Sequence, residues 1–467
     1  MPTLPDLADG YLMPADAQVR SIAIDLYESV ADLPILSPHG HVSPRMISDD
    51  VPFSDPTDLL ITHDHYVTRV LHSAGHELSS LGLGGGSQVA PRDVWRLFAA
   101  NWHRYAGTAS GYWLTRELET LFGITEELSL HNADELYDRI AAELWTPGFR
   151  PRALFERFRI EVLATTDDPL DDLSEHRALA ADPTFSGRVL PTFRPDAYLD
   201  PDTPEFGVRI EQLLSATAQR TTFDGYLCAL AERRAHFVEN GAVSADHGVY
   251  EPFTADLDRS AAERLFSGAL LGQLDPNESR LFRGHMLMQM AGMSVEDGLV
   301  MTLHPGVRRN HHSETLRRFG PDMGHDIPVR TEYVENLRPL LQKYGVAPGF
   351  HLVLFTIDET TYSREIAPLA GFYPSVYIGA PWWFLDAPDA ILRWRSAVTE
   401  TAGFYRSSGF IDDTRAFCSI PARHDTSRRL DAAFLARLVH EGRVSLPMAR
   451  RIAEDLVDTI PREVFKL

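Results

Sequence analysis

Eight short apolar runs recur along the chain, and each gives way to polar residues at its C-terminal end. They occupy residues 35–42 (ILSPHGHV), 161–169 (EVLATTDDP), 188–196 (RVLPTFRPD), 241–248 (GAVSADHG), 299–306 (LVMTLHPG), 351–358 (HLVLFTID), 375–383 (SVYIGAPWW) and 409–415 (GFIDDTR). Helical patterns such as ERLFSGALLGQL and VENLRPLLQKYG separate them, and residues 20–31 (RSIAIDLYESVA) predict an amphipathic helix feeding the first strand. Strands alternating with helices imply a parallel sheet, and eight repeats imply an α/β chain closed into a (β/α)8 barrel. Barrel enzymes carry their catalytic groups at the C-terminal ends of the strands, which is where these polar residues fall.

Residues 43–160 are too many for a βα connection. Their aromatic and leucine content (THDHYVTRVLHS, DVWRLFAANWHRY, YWLTRELETLFG) predicts a helical insertion packed over the barrel mouth. The chain therefore divides into a barrel domain, 1–42 with 161–467, and an insertion, 43–160. A second excursion, about 197–240, is mostly helical, and the tail from 426 reads as a helical pair. The glycine run LGLGGGS (81–87) lacks the Lys-Ser/Thr of a phosphate loop and follows no strand, so it predicts a turn.

Length changes the picture little: 467 residues suit a barrel with large insertions. Charge changes it more. The 44 basic and 66 acidic residues leave a net −22, which sets the surface against phosphate backbones and anionic lipid. Nucleic-acid and membrane partners are excluded on that ground, and an anionic substrate would need a local cluster of arginines. The cysteines, Cys228 and Cys418, cannot build a disulfide framework and fit a reducing compartment. No basic-then-apolar leader and no long apolar span are evident, so a cytoplasmic location is expected.

His39-Gly40-His41 ends the first strand, and residues i and i+2 of a strand share a face, so both imidazoles can reach one metal ion. Asp413 ends the eighth strand, which would close against the first. His304, at the end of the fifth, is either a fourth ligand or a polar group that contacts substrate. Strand six ends in Asp358-Glu359 without a histidine, which favours a single ion. Arg69, Arg194, Arg309 and Arg415 supply planar forks suited to a carboxylate, unless they merely pair with aspartates of the wall. Trp382 and Trp383 can wall a sugar, with one of the two expected to turn into barrel packing because strand neighbours alternate faces. Taken alone, His63, His65, Tyr66 and Arg69 are also consistent with an ordinary polar helix face.

These motifs together resemble the amidohydrolase superfamily and, within it, the uronate (glucuronate) isomerases. The resemblance runs almost end to end: HxH at the first strand, HDHYVTR (63–69), TTDDP (165–169), LPTFRPD (190–196), SADH (244–247), LHPGVRRN (303–310), GPDMGHD (320–326), Trp382-Trp383-Phe384, and DDTRAF (412–417) followed by Arg423-His424. The chain departs from the family pattern at Ser37, Gly40 and Val42 and in having His311-His312 after Asn310. Its two lysines, Lys343 and Lys466, lie off the strands, so neither a bridging carboxylated lysine nor a Schiff base is available.

The resemblance implies an aldose–ketose isomerase that interconverts D-glucuronate with D-fructuronate, and D-galacturonate with D-tagaturonate, by C2-to-C1 proton transfer through a cis-enediol. It implies Asp413 as base, Arg415 and Tyr66 with help from His65 on the enediolate oxygens, and a uronate pocket of Arg69, Arg194, Arg309, Trp382, Trp383 and His304. One divalent ion, zinc by its donor set, would be held by His39, His41, Asp413 and His304. The small-molecule hexuronate is the expected partner, along with other copies of the chain in a homo-oligomer. The rivals are a mononuclear hydrolase in which the same ion activates water, and an inactive sugar-acid-binding homologue.

Overall fold

Seven of the eight apolar runs form strands in the computed structural model, which describes residues 10–84 and 89–467. The turn expected at 81–87 lies partly outside those residues. Strands β1 (Ile35–Ser37), β2 (Ile160–Ala164) and β3 (Arg188–Leu190) make one parallel sheet. Strands β4 (Thr192–Phe193), β5 (Ser244–Val249) and β6 (Val300–Pro305) belong to a second. A short antiparallel ladder of β7 (Val307–Arg308) and β8 (Ile327–Pro328) follows. Strands β9 (Leu352–Leu354) and β10 (Val376–Ile378) complete the second sheet, in the order β10-β9-β6-β5-β4, also parallel.

The third run is split between the sheets at Pro191, which has no N–H to give a ladder. The chain bridges the break nonetheless, since the Asp167 amide donates to the Thr192 carbonyl at 3.0 Å. The eighth run departs from expectation, because 409–415 forms no strand. Gly409 (φ +75°) and Asp413 (φ +43°) turn the backbone out of the extended region at both ends of it. Hydrogen bonds still flank the segment. The Ser408 amide donates to Ile378 O and the His41 amide to Thr414 O, both at 2.9 Å.

All six residues of β6 are buried, as parallel strands covered on both faces must be. Helices Phe223–Glu239 and Pro276–Asp297 pack over this sheet through Leu230, Phe237, Met286 and Met290. The predicted first helix spans Ala17–Glu28, capped by the Asp16 carboxylate, and lies against the long helix Ile420–His440. The tail holds two further helices, Leu446–Val457 and Thr459–Phe465, so the pair expected from 426 is a triplet that starts at Ile420.

Residues 43–160 are helical, with His65–Ser73, Pro91–Ala100, Ala109–Phe122, Ala133–Leu144 and Pro151–Arg157 as α-helices after the short Pro44–Asp49. Trp95, Phe98 and Leu118 of these helices share one buried cluster with Ile160 and Leu163 of β2, so the helices and the strands have a common core. Among the described residues no helix is long and apolar enough to cross a membrane.

Candidate active site

The bond from the His41 amide to Thr414 O sets the eighth segment beside the end of β1. It brings Asp413 Oδ1 to 2.9 Å from His41 Nε2 and 3.3 Å from His39 Nε2. The hydroxyl of Thr166 donates to Gly40 O at 3.1 Å and therefore accepts from His41 Nδ1 at 2.6 Å. That fixes the tautomer: His41 Nε2 carries a lone pair and faces the carboxylate. Two acceptors held this close call for a cation between them.

A second set adjoins the first. Asp246 Oδ1 accepts from His304 Nδ1 at 2.6 Å and from the Thr302 hydroxyl at 2.7 Å. The sheet register arranges this, because Asp246 pairs with Thr302 and Gly248 with His304 across β5 and β6. His304 Nε2, His39 Nδ1 and Asp246 Oδ2 are buried and have no hydrogen-bond partner. His39, His41 and Asp413 present ligand atoms within 4.8 Å of one another, and so do His39, Asp246 and His304. Unsatisfied buried donors of lone pairs are costly, and a bound divalent ion would relieve that cost. The donor set suits such an ion.

Burial alone would raise the Asp413 carboxyl, but the imidazoles of His39 and His41 facing it hold it well below the usual carboxylate range. Burial lowers His41 and His304 and so favours the neutral imidazoles that ligation requires. His39 is raised despite its burial, because Asp246 and Asp413 face it.

A cleft of about 520 Å³ opens over Asp413 and His41. The start of helix His65–Ser73 contributes Asp64, His65 and Tyr66 to its wall, and the strand ends and their loops contribute Arg194, Arg309, Arg415, Trp382 and Trp383. The Asp64 carboxylate caps helix His65–Ser73 by accepting from the Tyr66 amide, which fixes where that tyrosine enters. Burial, reinforced by Arg415, lowers His65 to about 4, so its ring is neutral. Both tryptophans reach the cleft. The expected alternation does not hold, because Trp383 has φ +53° and begins a 3-10 turn.

Each arginine of the cleft already has a carboxylate partner. Arg194 bonds Asp196 at 3.0 Å and lies 3.5 Å from Asp246, and Arg309 pairs with Asp326 at 3.0 Å while its guanidinium sits 4.9 Å from the Trp383 ring. Arg415 has the loosest contact, 3.4 Å to Asp322, on a partly exposed side chain. Three arginines thus face six aspartates (Asp64, Asp196, Asp200, Asp322, Asp326, Asp413) on the wall. An anion entering this cleft needs a further positive charge, which reinforces the case for a cation at Asp413.

Arg69 lies elsewhere. It stacks on Phe384 at 4.6 Å and faces a neighbouring cavity beyond Tyr66 and Trp383. His63 is exposed and pairs with Asp58. Sequence reasoning quoted the motifs but passed over Asp246, Thr166, Asp322 and Asp326. Strand alternation puts Asp246 on the same face as Gly248, but only the sheet register sets it level with Thr302 and Gly248 level with His304. Four residues on the wall with left-handed backbone (Asn310, Asp322, Trp383 and Asp413) mark it as strained, a common property of functional sites.

Comparison with known proteins points the same way as this geometry. The family model for glucuronate isomerase matches residues 12–465. A uronate isomerase of Corynebacterium efficiens is 54% identical over 458 residues, covering 98% of both chains. Among solved structures, glucuronate isomerase from Caulobacter crescentus superposes with a TM-score of 0.97 at 46% identity, covering 99% of this chain and 97% of the other. Uronate isomerase from Thermotoga maritima gives a TM-score of 0.92 at 27% identity, covering 98% and 99%. With a match spanning nearly the whole chain, and a cleft that joins a histidine–aspartate centre to arginines and tryptophans, this protein belongs to the glucuronate isomerase family.

Proposed function

We propose that the protein is a uronate isomerase that interconverts D-glucuronate with D-fructuronate, and D-galacturonate with D-tagaturonate. The observation that carries the reading is the placement of one ionised carboxylate, Asp413, in the same cleft as Tyr66, His65 and Arg415. Aldose–ketose exchange needs a base at C2, donors for the oxyanion that develops, and a grip on the open-chain sugar. Asp413 takes the C2 proton and returns it to C1. The Tyr66 hydroxyl, which burial keeps protonated, and the Arg415 guanidinium donate to the enediolate oxygens, with His65 beside them. Arg194 and Arg309 orient the acidic sugar, and Trp382 and Trp383 cover its apolar face.

His39, His41 and Asp413 would hold one divalent ion, zinc by donor type, with His304 completing the set and Asp246 fixing its tautomer. When bound, that ion supplies the positive charge that anchors substrate oxygens. The hydrogen bonds on both flanks of segment 409–415 support reading the two sheets as one distorted (β/α)8 barrel with residues 43–160 as an insertion at its mouth. The absence of a pairing partner for Cys228 or Cys418 supports a cytoplasmic enzyme.

The direct test is to incubate the zinc-loaded protein with D-glucuronate and with D-galacturonate and follow the ketose. Ketose should form from at least one of them, and Asp413→Asn, which keeps volume and removes basicity, should lower kcat by roughly 10²–10⁴-fold. Hydrolysis of an amide or ester without any ketose would replace this reading with the hydrolase. Parental turnover in the variant would move the base elsewhere.

A further inference from the structure

Arg423 takes no part in the reaction as described, yet it is buried beside the residues that do. It lies in the first turn of helix Ile420–His440 and is 1% exposed. Its NH1 donates to Asp386 Oδ2 at 3.0 Å and to the backbone carbonyl of Asp412 at 3.2 Å, and its Nε donates to the Ser419 hydroxyl at 3.1 Å. Its guanidinium carbon lies 3.5 Å from the centre of the Trp113 ring and 5.2 Å from that of Tyr66. Trp113 in turn meets Tyr66 edge-on at 5.4 Å. One side chain therefore touches the turn after Trp382-Trp383, the residue before Asp413, and two helices of the insertion.

A purely structural clamp would be better satisfied. Arg423 NH2 and Asp386 Oδ1 are both buried and neither has a hydrogen-bond partner. Burying such a pair is expensive, and an apolar replacement of similar volume is often as stable. What the guanidinium offers in return is its shape: a planar fork that bonds along its edge and stacks on aromatic faces, which a lysine cannot reproduce. Asp412 is pinned from the same helix a second time, because its Oδ2 lies 3.1 Å from His424 Nε2. These contacts hold in place the neighbour of a residue with a left-handed backbone, Asp413 at φ +43°.

We propose that Arg423 is a positioning residue of the isomerisation. It locks Tyr66 of the insertion and the Asp412–Asp413 segment into one geometry, so that the oxyanion donor and the base address adjacent carbons of the same sugar. The inference rests on the roles given above to Tyr66 and Asp413. It makes Arg423 the point at which the insertion is coupled to the catalytic end of the eighth segment. Substrate affinity and metal binding are not its work.

The test is a double-mutant cycle on the zinc-loaded enzyme with D-glucuronate, using Arg423→Lys, Tyr66→Phe and the pair, with metal content measured in each. Misplacement by about 1 Å is enough to cost ~10²-fold in rate, so R423K should lose roughly 10–10²-fold in kcat with KM and metal content close to parental. In the Y66F background the same substitution should cost at least about threefold less than in the parent, because one of the two groups it aligns has gone. Asp386→Asn, which removes the carboxylate partner of Arg423, should repeat the pattern more weakly, and it takes over the cycle if R423K does not fold. Full multiplication of the two losses, or a raised KM or loss of metal with kcat preserved, would overturn the proposal while leaving the isomerase reading intact. Parental turnover in Y66F alone would instead remove Tyr66 from the reaction, and this inference with it.

Discussion

His41 and Asp413 face each other across 2.9 Å with no proton assigned between them, since the other imidazole nitrogen gives its hydrogen to Thr166. The simplest occupant of that position is a metal ion. Its loss is predicted to follow the loss of either imidazole: His39→Ala and His41→Ala should each reduce bound zinc from about one ion per chain to a small fraction of that. Elemental analysis of dialysed protein checks this. Two ions per chain in the parent, or an unchanged ion in both variants, would contradict the single-ion centre. Spacing made the histidine pair readable in the sequence, although β1 ends at Ser37 and both histidines lie in the segment just beyond it rather than on the strand. The role of Asp246 was not readable, because it depends on which residue of a neighbouring strand lies level with it, and register is a property of the sheet.

At the scale of elements, one helix of residues 43–160 carries a buried acid whose cost depends on pH. Glu117 sits on helix Ala109–Phe122 at 4% exposure, and burial, with Asp64 nearby and Arg423 opposing, raises its carboxyl from 4.5 to about 8. A carboxyl raised in the folded state binds its proton more tightly there than in the unfolded chain. Its contribution to stability is therefore complete below pH 4.5 and is lost as pH rises towards 8. Each pH unit in that window costs at most ~1.4 kcal/mol. Glu117→Gln removes the ionisation, so the variant should gain in Tm over the parent at pH 8 and show little difference at pH 5. Thermal unfolding at the two pH values decides it, and an equal shift at both would refute the burial argument. The helices themselves were legible from their apolar spacing, with boundaries off by a few residues. The eighth run was not legible as irregular, because its composition is that of a strand and only the backbone turns at Gly409 and Asp413 depart from one.

For the whole molecule, the net charge of −22 posed the question of how an anionic sugar is held. Arginines were the expected answer, and the alternating rhythm of strand and helix predicted where they would gather. Arg194, Arg309 and Arg415 do meet in the cleft, while Arg69 packs on Phe384 outside it. Sequence could not reveal that six aspartates line the same wall, because they come from segments far apart in the chain. On the proposed reading, a carboxylate is bound here by the guanidiniums and a metal ion together. A neutral hexose would forgo the attraction that the ion and the loosely paired Arg415 exert on the carboxylate, and would bind and react more weakly for it. The most direct measurement is the pair of turnover rates for D-glucuronate and D-glucose on the same zinc-loaded enzyme. Ketose should form from the uronate, with a rate for the hexose lower by about 10³-fold or more; comparable rates for the two sugars would contradict a site built to hold a carboxylate.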